Sequence, residues 1–158
     1  MTTLLDHAGI AARLPHAGRM CLLDRVEHWT PEAIHCSATG HRDPDHPLRT
    51  ASGLLAPCAI EYAAQAMALH AALCGPAGAA PAPGMLASVR DVRFAAPRLD
   101  LVPGALHVRA ERLGADARML QYRFVVADEA GAVLAEGRAT IVLDAAVPVR
   151  SGGAGLQT

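Results

Sequence analysis

The feature of this chain best able to do chemistry is a carboxylate set inside an apolar helix. Glu61 stands in the run from Leu54 to Cys74, and Gln65 follows four residues later, so a helix puts the two on one face. Cys58 and Ala68 continue that face with small groups, whereas His70 falls on the opposite side. An ionised carboxylate in apolar surroundings costs on the order of several kcal/mol unless it is paired. Such a group responds by raising its pKa, which suits a general acid near neutral pH. A structural role stays open, in which Glu61 pairs with an arginine or lies on an exposed strip.

The second candidate is His46, in the polar segment Gly40 to Gly53, where Pro47 biases it toward an extended conformation. The same segment holds His41, Asp43, Asp45 and Arg49. A metal reading of His41, Asp43, Asp45 and His46 matches no common ligand spacing, and Pro44 and Pro47 stiffen the loop. The expectation is no metal. The four cysteines (Cys21, Cys36, Cys58 and Cys74) form no CxxC pair. Three of them lie in apolar or strand-like contexts, where a free thiol behaves as a small hydrophobe.

These groups need elements to hold them. Residues 1–19 read as a short helical lead-in and a turn at Leu14 to Gly18. Met20 to Trp29 and Ala33 to Thr39 read as two strands joined at Thr30-Pro31-Glu32, and Gly40 to Gly53 as loop. Leu54 to Cys74 reads as a helix of about 30 Å, apolar nearly all round and therefore wrapped by the rest of the fold. Pro57 is tolerable near its start, and Gly75-Pro76 stops it.

After a connector at 75–84, four strands follow. Met85 to Ala95 is the first. In the second, Leu106, Val108 and Ala110 alternate with His107, Arg109 and Glu111. Leu120, Tyr122, Phe124 and Val126 repeat the scheme, as do Val133, Ala135, Ala139, Ile141 and Leu143. Turns at Leu113 to Asp116 and Asp128 to Gly131 make the last three a meander. The expected architecture is one α+β domain over 1–143, with a disordered tail over 144–158. A sheet of this size covers one side of the helix, and the uncovered edge and face favour a dimer.

Composition narrows the function. The 158 residues are 52% hydrophobic and 3% aromatic, so Ala, Leu and Val must pack the core. The net charge of −1 and the absence of a basic block point away from nucleic acid and anionic membranes. All fourteen basic side chains counted with it are arginine, from which no function follows. Asp6 and His7 stand where a secretory leader needs a basic and then apolar run, and Glu61, Gln65 and His70 interrupt the most apolar stretch. A cytoplasmic, reduced chain is expected.

Four blocks together resemble a known family: LPHAGRMCLLDRV, DHPLR, IEYAAQAMALHAAL and VRDVRFAAPRLDLVPGALHV. They are similar to the 3-hydroxyacyl-(acyl carrier protein) dehydratases of the FabZ/FabA hot-dog superfamily, nearest to the ApeP-like branch of aryl-polyene and related pigment clusters. The resemblance runs from about Leu14 to Leu143. It implies a hot-dog fold, a long central helix wrapped by a curved antiparallel sheet, with paired protomers. It also implies a composite site with catalytic His46 from one protomer and Glu61 from the other. An acyl tunnel would run by Val92 and Phe94. Where the family has a Pro-Gly step whose N–H polarises the thioester carbonyl, this chain has Leu55-Ala56, and Gly53 is the candidate to take that role. The run before the helix, HPLRTASGLLAPC, also departs from the family's usual HFP-x-x-P-x-x-PG.

The implied reaction is dehydration of 3-hydroxyacyl thioesters to 2-enoyl thioesters, in fatty-acid or polyene-type biosynthesis. It needs a base for the C2 proton, an acid for the C3 hydroxyl and an N–H at the thioester oxygen. His46 would be the base and Glu61 the acid, with Gln65 orienting Glu61. The substrate would arrive on the phosphopantetheine of an acyl carrier protein, with no separate cofactor. The partner would be a second copy or another hot-dog protein. Two rivals are a hot-dog thioesterase, in which Glu61 activates water, and a weakly catalytic subunit of a heterodimeric dehydratase.

Overall fold

Alternation of apolar and polar residues builds most of the sheet. The computed structural model describes residues 4–15, 18–75 and 84–143. The turn expected at Leu14 to Gly18 and the connector fall partly outside these residues, and the tail falls wholly outside. A short helix α1 (His7–Ala11), capped by Asp6 accepting the Gly9 N–H, precedes strands β1 (Arg25–Trp29) and β2 (Ala33–Ala38). Helix α2 (Ala59–Cys74) follows, then β3 (Gly84–Phe94), β4 (Leu106–Ala115), β5 (Met119–Ala127) and β6 (Val133–Leu143).

The six strands form one antiparallel sheet in the order β1-β2-β4-β5-β6-β3, with α2 packed against β2, β4, β5 and β6. This is the α+β arrangement expected, a long helix held by a curved sheet. The inward residues of β4 (Leu106, Val108, Ala110) and β5 (Leu120, Tyr122, Phe124, Val126) are all buried, as their period of two requires. Gly137 of β6 faces the same way: a Cβ there would lie 2.9 Å from Phe124 Cζ and 3.0 Å from Val92 Cγ2. Its missing side chain leaves room for the side chains of Phe124 from β5 and Val92 from β3.

Three expected boundaries move, each for a reason visible in the backbone. The turn expected at Leu113 to Asp116 comes later, because Gly114 and Ala115 still pair with Gln121 and Leu120, and Asp116 N donates to Met119 O at 2.9 Å. The first strand begins at Arg25 rather than Met20, because Gln65 of α2 takes up the Leu22 N–H and the Met20 carbonyl. Gly18–Met20 is instead a 3-10 turn. The central helix begins later than Leu54. Leu54 donates to Asp100 and Leu55 bridges Arg98, so both stay extended. A 3-10 turn, Ala56–Cys58, with Pro57 at its start, then leads into α2. Val133, placed inward by its parity, is exposed beside the register shift at Val126/Ala127. Among the described residues no helix is long and apolar enough to cross a membrane.

Candidate active site

Because α2 starts at Ala59, Glu61 lies in its first turn, at the helix end where unpaired amides favour acidic residues. Its side chain is half-buried. Gln65 is fully buried one turn on, and its orientation follows from the backbone around it. Oε1 accepts the Leu22 N–H at 2.9 Å, so Nε2 must face the other way, where it donates to Met20 O at 2.6 Å and to Glu61 Oε1 at 3.1 Å. Gln65 thus orients Glu61 and ties α2 to the segment before β1.

The loop carrying His46 is a staircase of turns. Asp43 N donates to Gly40 O, His46 N to Asp43 O, and Arg49 N to His46 O. His46 is buried, with Leu48 N donating to Nδ1 at 3.1 Å and Nε2 lying 2.9 Å from Tyr62 Oη. A ring nitrogen that accepts a backbone N–H carries no proton of its own. The neutral ring therefore holds its hydrogen on Nε2 and donates it to Tyr62. Burial lowers the His46 pKa, with Asp43 opposing and His41, Arg19 and Arg49 reinforcing that shift. Burial likewise pushes the Tyr62 phenol up. Both groups are neutral near pH 7.

The residues expected to hold the thioester are spread along the entry to α2. Gly53 has φ of +99°, a conformation open to glycine, and its N–H is taken up by Thr50 O at 3.0 Å. The Ala56 N–H donates to Pro97 O at 3.0 Å. Those two amides are thus engaged within the chain, while the Leu55 side chain is exposed and Ala56 is buried. Val92 is half-buried against the Gly137 backbone. Phe94, paired in register with Ala135, is 42% exposed at the edge strand. Asp91 beside them has φ of +54° at a bulge between Arg90 and Arg93.

Sequence reasoning missed Tyr62, Arg98 and Asp100. Tyr62 looks like a core aromatic, yet a hydroxyl in a buried helix needs a partner, and that was a usable signal. Among the described residues no group of three or more His, Cys, Asp or Glu side chains is arranged to hold a metal ion. His41, buried in the same loop, turns its Nε2 to Val102 O at 2.9 Å.

The comparisons agree with this architecture. The ApeP-like family, described as ApeP dehydratase, matches residues 8–147. A chain of the dehydratase heterocomplex ApeI:P from Xenorhabdus doucetiae is 27% identical, with a TM-score of 0.74 over 85% of this chain and 90% of that one. AziG from S. sahachiroi superposes with a TM-score of 0.62 at 17% identity, over 83% of this chain and 97% of that one. A thioesterase from Haemophilus influenzae superposes at 0.57 and 12% identity, over 76% and 77%. These last two speak for the fold alone. No curated protein matches the chain by sequence. A match across nearly the whole described chain, on a sheet and helix of this topology, places it: the chain has the hot-dog fold and belongs to the ApeP-like family of dehydratases.

Proposed function

We propose that the chain dehydrates 3-hydroxyacyl thioesters, delivered on the phosphopantetheine arm of an acyl carrier protein, to 2-enoyl thioesters in polyene-type biosynthesis. The observation that carries this reading is the Gln65–Glu61 pair, a carboxylate held in one orientation at the start of α2, in a chain of a dehydratase family. His46 takes the C2 proton, and the electron pair of that C–H bond becomes the C2–C3 double bond. The C3–O bond breaks as Glu61 gives its proton to the departing hydroxyl, which leaves as water. For His46 Nε2 to accept a proton, the ring's own hydrogen has to move to Nδ1. The Leu48 contact must therefore give way when substrate enters.

A second hot-dog protomer completes the site. On α2, Glu61, Ala64, Ala68 and Ala71 are half-buried at spacings of three and four, so they form one face that this chain's own sheet leaves open. The similar chain from Xenorhabdus belongs to a dehydratase heterocomplex, which supports a different hot-dog protein as the cover and a subunit role for this chain.

The test is to offer a 3-hydroxyacyl-carrier protein to the purified chain, alone and with a candidate hot-dog partner. Appearance of the 2-enoyl thioester supports the reading. Free acid would make the protein a thioesterase, and turnover only with the partner would make the heterodimer the working form.

A further inference from the structure

Both ends of the His46 loop are tied to one short stretch between β3 and β4. At the near end, His41 Nε2 bonds Val102 O at 2.9 Å. At the far end, the carboxylate of Asp100, with 1% of its side chain exposed, gathers three partners. Its Oδ1 accepts Arg98 Nε at 3.1 Å and the Leu54 N–H at 2.9 Å. Its Oδ2 accepts Arg98 Nη2 at 2.5 Å and lies 3.5 Å from Arg49 Nη2. Arg49 and Leu54 belong to the segment between His46 and α2, and the Arg49 N–H itself donates to His46 O at 3.0 Å. Gly53 is pressed onto the same ion pair, since a Cβ there would lie 2.5 Å from Arg98 Nε and 2.7 Å from Asp100 Oδ1. Leu99 N donates to Leu54 O at 2.8 Å, which adds a backbone rung to the tie.

We infer that Asp100 is a positioning residue: its buried carboxylate, through Arg49, Arg98 and the Leu54 N–H, fixes the loop that aims His46 and the entry to the helix that carries Glu61. The role in turnover rests on the dehydratase reading above; the role in placing the loop does not. A carboxylate buried for core stability alone has no need of partners on the loop. Here one of its three partners, Arg49, is on that loop, and a second, the Leu54 N–H, directly follows it. Removing the charge leaves the guanidinium groups of Arg98 and Arg49 without their counter-ion, and the loop gains freedom about the Leu48 and Tyr62 contacts of His46. Misplacing a proton-transfer group acts on the transition state more than on substrate binding, so the effect belongs in kcat.

The experiment uses the full-length chain, with its hot-dog partner where the wild type needs one to turn over. Asp100→Asn keeps the shape and removes the charge, and Arg49→Gln removes only the loop-side cation. The expected result for each is a fall in kcat of about tenfold to a hundredfold with KM changed less than about twofold. Exchange of the Leu48 amide hydrogen, the donor to His46, should also quicken in both variants. A folded Asp100→Asn protein with wild-type kcat and wild-type Leu48 exchange overturns the inference. If Asp100→Asn does not fold, Arg49→Gln decides by the same two readouts. A wild type that never dehydrates sinks the functional reading, and Leu48 exchange still settles the positioning role.

Discussion

Gln65 and Glu61 are joined by a 3.1 Å hydrogen bond in which the glutamine cannot turn over, because its oxygen is held by the Leu22 N–H. Glu61 Oε1 is therefore an acceptor from an amide whose direction the backbone dictates. Glu61→Gln keeps a carbonyl oxygen for Gln65 and removes the transferable proton. Dehydration should fall by roughly 10²–10⁴ while the melting temperature barely moves. Unchanged turnover per folded molecule would remove Glu61 from the acid role, and a large loss of stability would make it a structural charge.

Gln65→Leu should act differently. It fills similar space but leaves the Leu22 N–H and the Met20 carbonyl without their partner, beside a buried core. Each unsatisfied backbone group costs about 1–3 kcal/mol. Stability in denaturant should therefore drop together with activity, whereas Glu61→Gln lowers activity alone.

How much of this was legible in the sequence follows from the range of each contact. Glu61 and Gln65 are four residues apart on one helix, so their pairing could be read from spacing. The strands of the meander showed themselves by alternation, because β4 and β5 bury one face and expose the other. The start of α2 could not be read. Leu54 is withheld from the helix by Asp100, a contact across 46 residues that no local pattern encodes. The same holds for Met20 to Asp24, whose apolar run reads as strand until Gln65 claims its backbone groups. Pro47 marks His46 only as a stiffened loop position, and the histidine's proposed role comes from the family resemblance. Its partner Tyr62 was hidden beside Glu61, among residues that look like core.

Tyr62→Phe isolates that partner. The phenyl ring fills the same space, and His46 Nε2 loses its hydrogen-bond acceptor in a buried setting. The variant should fold with a loss of about 1–3 kcal/mol, and the nitrogen chemical shifts of His46 should change while those of His70 stay. His46→Ala should abolish turnover and leave thioester binding, and added chelator should leave the wild type unaffected. Activity lost with chelator and restored by a divalent cation would bring metal chemistry back.

Burial of histidines sets how stability depends on pH. His35 is lowered from 6.5 to about 4, chiefly by burial and then by Arg109 and His107. His41, His46 and His70 are also lowered, each mainly by burial. Below 6.5 the unfolded chain takes up protons that the folded chain refuses, so folding becomes less favourable as pH falls toward 4. Asp100, held well below the usual carboxylate range by Arg98, works in the same direction at more acidic pH. Urea midpoints should fall steadily from about pH 6.5 downward, and fall again at alkaline pH, where the buried Cys36 thiol, pushed up to about 12, keeps a proton that the unfolded chain gives up. A midpoint that rises on acidification below 6.5 would mean the histidine rings are charged in the folded state.

The last prediction joins fold, assembly and mechanism. In the two-fold pair proposed above, each site would take His46 from one protomer and Glu61 from the other. His46→Ala and Glu61→Ala chains, mixed under conditions that allow exchange, should form mixed pairs for half of the population. Every mixed pair holds one doubly damaged site and one intact site, so activity should return to roughly a quarter of wild type although both parents are nearly dead. If exchange is proven and nothing returns, both residues act within one protomer or the working partner is a different chain. Repeating the mixture with a hot-dog partner separates those two outcomes. A His46→Ala chain that is active beside a partner carrying its own histidine, where a Glu61→Ala chain is not, would show that this protomer contributes Glu61. The reverse pattern would show that it contributes His46. If both single variants are fully active with the partner, neither residue is needed for turnover there, and this chain's part in the heterodimer is to cover the partner's helix.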